Sequence, residues 1–396
     1  MNRLLNIHIG LLPRIILGIM AGVAVGYVAP VWLARSFATF NYAFSQFLGF
    51  LIPLIIVGFV APAIADIGNR AGKMLVVTAV LAYGATLLAG LVSYIVSDLT
   101  FPSLVTPLST ADASMAEQAG AATSPPPFFT IDMPPVMPVM TALVLAFLLG
   151  LGIAYSKGHT LAAAFTEFRN IVEITIRKAV IPLLPFYIMG IFVEMTVKGE
   201  VGMILSTFFK VILVIFGIHV FILLLQYLIA GIVARKNPLK MLWTMMPAYF
   251  TALGTQSSAA TIPVTLRRTV MLGVDEDVAG FTVPLCATIH MSGSTLKIVA
   301  CAMALMLMQG MDYDFSSFMQ FIAMLGVTII AAPGIPGGAI MASLGLLSSI
   351  LGFTDAQNAM MIALYITMDS FGTACNVTGD GALSVIVDRI FPRKKQ

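Results

Sequence analysis

Asp369, Thr373, Asn376 and Asp380 follow one another at intervals of 4, 3 and 4, a spacing that stacks all four on one face of a helix. The surrounding sequence is apolar, so two carboxylates and an amide would lie at membrane depth. Ionisable side chains there mark a substrate or ion pathway, against the plainer reading of a polar seam between helices. Asn376 and Asp380 offer hard oxygen donors of the kind small cations take. A second polar run, Thr288-Ile289-His290-Met291-Ser292-Gly293-Ser294, reads as an unwound helix centre whose exposed carbonyls would also face a cation. A third, Thr255-Gln256-Ser257-Ser258, is a polar tip between two stretches too short to span a bilayer. Lys297 is the one basic residue inside the apolar run after Ser292. It either snorkels to an aqueous edge or pairs with Asp369.

The elements that must hold these residues are membrane helices. Only 10% of the 396 residues are charged and 59% are hydrophobic, where a soluble domain carries about 25% charged residues. Runs long enough to cross lie near 11–34, 40–66, 74–97, 136–156, 179–197 and 203–234, since a bilayer core needs about 20 apolar residues in a helix. Residues 238–268 and 315–352 repeat one design, two short apolar arms around a break. Each is followed by a long helix with polar residues at mid-depth, roughly 278–308 and 356–388. Irregular backbone at that depth is tolerated only inside protein or beside a cavity, and two interrupted segments in corresponding places point to a transporter's binding site. The Pro-, Ser- and Ala-rich stretch 98–135 reads as a poorly ordered external loop. Residues 160–178 read as an amphipathic helix with a Glu173–Arg177 surface pair.

Lys and Arg collect in short loops, at Arg70, Lys73, Lys157, Arg235, Lys236, Lys240, Arg267 and Arg268 and in the tail from Arg393. This places both termini in the cytoplasm, with Asp98, Asp112, Glu117 and Asp132 outside. A net charge of +3 gives no reason to expect nucleic acid. Cys286, Cys301 and Cys375 lie in apolar segments without metal-ligand spacing. His8, His159 and His219 read as end or core histidines.

Residues 255–268 (TQSSAATIPVTLRR), 284–295 (PLCATIHMSGST), 334–341 (GIPGGAIM) and 369–380 (DSFGTACNVTGD) resemble the dicarboxylate/amino acid:cation symporter family over about residues 10–390. The resemblance implies an all-α membrane protein of eight transmembrane helices and two re-entrant hairpins, with inverted repeats and an elevator mechanism. It implies a homotrimer in a lipid bilayer, here the cell inner membrane. A scaffold would comprise about 10–66 and 136–197, and a transport part about 72–97 and 203–390. Ser257, Ser258, Ser294, Gly334, Asp369, Thr373 and Asn376 would contact the substrate, Asp369 taking an α-ammonium. Cys286 (through its carbonyl), Asn376 and Asp380 would form one sodium site, and Thr288 and Met291, with carbonyls of the second hairpin, another. No cofactor is implied beyond Na⁺ as coupling ion.

Departures from the family's pattern shape the expected substrate. Acidic-substrate members carry an arginine three residues after the aspartate matching Asp369, where this chain has Gly372. A second arginine corresponds to Gln256. An asparagine of a sodium site becomes His290, an aspartate of a third becomes Ser292, and the hydroxyls expected with it align with Leu81 and Ala82. A buried site without arginine disfavours an acidic side chain. The expectation is therefore a sodium-coupled symporter of a small neutral amino acid resembling Ser, Thr or Ala. Its alternatives are a dicarboxylate carrier in which Lys297 supplies the charge, and a proton-coupled variant using His290. A passive channel could use the same hairpins, but two of them with an internal carboxylate face favour alternating access. An intramembrane enzyme would need Ser257 or Ser258 beside His290 as its base.

Overall fold

The computed structural model describes residues 11–69, 72–105, 126–156, 159–199, 201–330 and 337–391, without the side chains of 66–69. Every element in these segments is helical. The first group is α1 (Leu11–Val28), α2 (Val31–Asn69), α3 (Lys73–Leu104), α4 (Val139–Ser156), α5 (His159–Thr175), α6 (Ile181–Val197) and α7 (Val201–Ala234), with a π turn at Ile176–Val180 joining α5 to α6. The second is α8 (Pro238–Thr255) with α9 (Ser258–Met271), α10 (Glu276–Ile289) with α11 (Ser292–Met308), α12 (Phe315–Ile330) with α13 (Gly338–Leu351), and α14 (Asp355–Thr367) with α15 (Asp369–Ile390). Seven helical stretches are long and apolar enough to cross a membrane. Large apolar side chains such as Leu17, Met20, Val144, Leu148, Phe209 and Leu213 stay exposed, as a lipid-facing surface requires. The chain is a multi-pass membrane protein.

The halves of the second group are cut where local chemistry stops a helix. Asn237 caps α8 by accepting from Lys240 N (3.0 Å), and Pro238 sits at its first turn, where the missing N–H costs nothing. Gln256 closes α8 in the left-handed region (φ 53°), and Ser257 starts α9 by accepting from Ala260 N (3.3 Å). Asp275 caps α10 through Asp277 N (2.9 Å), with Glu276 and Asp277 in the first turn where acids suit the helix dipole. Before α12, Asp314 accepts from the Ser317 hydroxyl (2.6 Å) and amide (3.0 Å), bonds that hold its carboxyl below the ordinary carboxylate range. Gly337, at φ 76°, starts α13 in a conformation that favours glycine. A capping box of Thr354 and Gln357 starts α14.

Packing divides the helices. α1 lies along α6, and α2 along α4, α5 and α6. α15 is surrounded by α7, α8, α9, α10 and α11, and α3 lies along α11. The two sets meet where α12, α13 and α14 face α1, α2, α4 and α6.

Three features differ from the sequence reading. The third helix runs on through Pro102 to Leu104, so residues 98–104 are helix rather than loop. Residues 126–133 are pinned to α2: Arg35 Nε donates to Pro126 O (3.0 Å) and its guanidinium lies 4.3 Å from the Phe128 ring centroid, while Thr39 Oγ1 accepts from Phe128 N (2.8 Å). The rest of that connection, 106–125, lies outside the described residues, as does most of the Pro/Gly break at 333–338. The last long helix is also interrupted, at Met368. The Glu173–Arg177 pair forms at 2.6 Å on an exposed face, and His219 is a core histidine bonded to the Tyr249 hydroxyl (3.2 Å).

α1 approaches α6 through Gly18, Gly22 and Gly26, one stripe of small residues. A Cβ on Gly22 would meet Met189 O at 2.5 Å and Phe192 Cβ at 2.9 Å, whereas one on Gly152 of α4 would meet nothing within 4 Å. Gly22→Leu should therefore lower stability by about 1–3 kcal/mol through overpacking, read as a fall in melting temperature in detergent. Gly152→Leu should leave the melting temperature nearly unchanged.

Candidate functional site

Two glycines bring the interrupted helices together. A Cβ on Gly293 of α11 would collide with Gly372 O and Cys375 Cβ of α15, and one on Gly372 would collide with Cε and Nζ of Lys297. With no side chain at either position, α11 and α15 touch. Asn376 Oδ1 accepts from Gly293 N (2.7 Å), and its amide nitrogen donates to Ser294 Oγ (3.2 Å). Tyr365 OH contributes a further bond to Ser294 (3.3 Å).

Lys297 lies inside this contact with 2% of its surface exposed, and it does not snorkel. Its ammonium donates to Met368 O (3.1 Å), stands 3.5 Å from Asp369 Oδ1 and lies 3.9 Å from the Tyr365 ring centroid, a cation–π distance. Met368 O is within reach because the chain turns out of α14 at that residue. The other carboxylate oxygen, Asp369 Oδ2, accepts from Gly337 N (2.7 Å), so the second hairpin is tied to the same acid. Gly334, three residues earlier, lies outside the described residues. Thr373 is buried beside Asp369, with its hydroxyl bonded to Asp369 O (3.1 Å). Ser257 and Ser258 are half-buried at the start of α9, the tip of the first hairpin.

A second cluster lies one to two turns further along α15. His290 and Asp380 are fully buried, with Nδ1 2.9 Å from Asp380 Oδ1 and 3.2 Å from Asn376 O. Both neighbours are acceptors, so Nδ1 carries the hydrogen. Nε2 then accepts from the Ser292 hydroxyl (2.6 Å), which in turn accepts from the Gln226 amide (3.0 Å). The His290 backbone N–H donates to Cys286 O (2.8 Å). Met291 Sδ contacts the Asn376 amide (3.4 Å), and Thr288 is exposed, its hydroxyl bonded to Leu285 O (2.8 Å). With both ring nitrogens engaged in this way, His290 is not placed as a base for Ser257 or Ser258.

Sequence reasoning missed Gln226, Tyr365 and Thr86. Gln226 is an amide in the apolar helix α7, the signal that singled out the acids of α15. Tyr365 stands next to the helix break and carried no signal of its own. On α3 the hydroxyl that reaches the α10–α11 break belongs to Thr86, which accepts from Met291 N (3.2 Å), one turn beyond Leu81 and Ala82.

These clusters join the two interrupted helices and one hairpin tip around two buried carboxylates. The model of the sodium:dicarboxylate symporter family matches residues 11–390, nearly the whole chain. The chain belongs to that family, whose members are transporters of small substrates with a coupling cation.

Removing one partner of a buried ion pair costs about 3–5 kcal/mol, because the other charge is left uncompensated. Lys297→Met should therefore lower the melting temperature sharply, and Lys297→Met with Asp369→Asn should recover most of the loss. Equal losses in the single and double variants would mean that the two charges are not coupled.

Proposed function

From membership of the sodium:dicarboxylate symporter family, we propose that this chain is a secondary active symporter that takes up a small carboxylate together with sodium, and that Lys297 supplies the fixed positive charge of its substrate site. One observation carries this reading: the Lys297 ammonium fills the space that a side chain at Gly372 would occupy. Acidic-substrate members, by the resemblance above, place an arginine at that position. Here the charge comes from α11 instead of α15, into the same space. The N-terminus of α9 at Ser257 and Ser258 brings further backbone N–H groups for a carboxylate.

The ion pair also bears on the substrate's other end. Asp369, the expected partner of a substrate ammonium, already faces an ammonium of the chain's own. A dicarboxylate or hydroxy acid without an amino group meets no such competition. The neutral amino acid expected from sequence is the second reading, and the 3.5 Å separation favours it. That distance exceeds a direct hydrogen bond, so Asp369 Oδ1 keeps capacity for a substrate ammonium.

In this reading α3 and α7–α15 slide as one body, carrying the site past α1, α2, α4, α5 and α6, which assemble as a homotrimer in the cell inner membrane with both termini cytoplasmic. The division of contacts and the enclosure of both carboxylates support a carrier over a channel. A Cβ on Gly345 of α13 would meet Val139 and Ile52, apolar side chains at which sliding breaks no hydrogen bond. Thr288, Met291 and carbonyls of the second hairpin would hold the coupling sodium.

Competition for uptake in proteoliposomes tests the substrate class. Succinate and malate should compete about tenfold or more better than serine or alanine, the ratio expected from one charge-assisted hydrogen bond. The reverse order would transfer the conclusion to the second reading. Gly372→Arg alone should impair uptake, since Lys297 occupies its space, and Gly372→Arg with Lys297→Met should restore uptake of acidic substrates.

A further inference from the structure

In the family's pattern, Cys286 O, Asn376 and Asp380 converge on a sodium ion. Here each of the three offers its oxygen to a hydrogen of His290: Cys286 O to the backbone N–H (2.8 Å), Asn376 O (3.2 Å) and Asp380 Oδ1 (2.9 Å) to Nδ1–H. A hard cation needs about six oxygen ligands free to turn towards it, and this donor set does not provide them. We propose that the His290 imidazole stands in place of the sodium ion against Asp380, so that this chain binds no sodium there. This rests on the symporter reading and concerns which cation sites it uses.

The imidazole is held firmly enough to act as a permanent occupant. The ring is fully buried. Its far nitrogen accepts from Ser292 at 2.6 Å, and Gln226 fixes Ser292 from α7 at 3.0 Å. A Cβ on Gly379 would stand 2.5 Å from the ring's Cε1, so the glycine of the Asn376–Asp380 motif leaves room for the ring. Swinging the ring aside would leave the Ser292 hydroxyl hydrogen without an acceptor and Asp380 Oδ1 without its donor in a buried site. Asp380 Oδ2 has no partner among the described residues, and it is the one atom of the set on which a cation could still settle. The experiment must therefore read Asp380 directly.

Purified protein is titrated with sodium chloride against choline chloride, following melting temperature and ²²Na⁺ binding, for wild type, Asp380→Asn, His290→Asn and His290→Asn/Asp380→Asn. The proposal expects the sodium midpoint to move less than about twofold from wild type to Asp380→Asn, although the baseline melting temperature falls. His290→Asn should free the Asn376 and Asp380 oxygens that the ring now holds and add sodium binding that the double variant loses. A wild type indifferent to sodium, with binding gained in His290→Asn, supports the proposal equally. Loss of sodium binding in Asp380→Asn alone overturns it, since the ion would then sit on Oδ2. No gain in His290→Asn, or in His290→Gln should the asparagine variant not fold, also overturns it. Failure of the symporter reading looks different: no dicarboxylate or amino acid would raise the melting temperature in either salt.

Discussion

A lysine at the centre of a membrane protein is tolerated only if the surrounding chain answers its charge, and the contact of Lys297 with Asp369 organises much of the second half of this molecule. Glycine at residue 372 leaves room for the ammonium, which a Cβ there would strike. The turn at Met368 brings a carbonyl to Nζ at 3.1 Å and puts Asp369 at the start of α15 rather than in mid-helix. From there its second oxygen accepts from Gly337 N at 2.7 Å, which ties the start of α13 to the acid. Helix break, glycine and the tie to α13 thus follow from a buried charge that cannot be left unpaired.

The same logic links residues that look unrelated when compared with the family one at a time. His290 and Ser292 replace an asparagine and an aspartate of two different cation sites, which reads as the loss of both. In space the two side chains form one unit, bonded at 2.6 Å, with Gln226 behind and Asp380 in front. In the proposed reading, cation ligands are exchanged for a chain of hydrogen bonds whose direction is set by the groups at its ends. The bonds run without a gap from the Gln226 amide nitrogen to Asp380 Oδ1, while Gln226 Oε1 and Asp380 Oδ2 have no partner among the described residues.

How much of this was legible in the sequence depended on how local its cause was. The first hairpin tip was plain because Thr255-Gln256-Ser257-Ser258 interrupts apolar arms, and the α10–α11 break was plain from its run of small polar residues. The break at Met368 was not, because Thr367-Met368-Asp369 contains neither glycine nor proline and the turn is held by contacts from distant segments. The α15 face was read from spacing alone, yet spacing could not show that Lys297 of α11 crosses to it. The pair Gly293 and Gly372 is what permits that crossing, and its meaning emerges only when the two helices are side by side. Pinning of residues 126–133 to α2 was hidden for a related reason: its partners Arg35 and Thr39 are 91 and 89 residues away along the chain.

Compared position by position with the family, Gly372 is a missing charge; in space, the Lys297 ammonium stands beside it. In the proposed reading a substrate meets the charge at the site rather than at one sequence position, and a lysine on α11 takes the part of an arginine on α15. The location of that charge then bears on movement. Carrying one elementary charge across a membrane potential costs about 2.3 kcal/mol per 100 mV. Lys297 and Asp369 lie on α11 and α15, which pack against each other within the same set of helices, so in the proposed sliding motion they travel together and cancel. The load left for a coupling cation is then the substrate and Asp380, rather than the substrate and two carboxylates. A chain that tethers its counter-charge in this way can carry an anion with fewer ions bound.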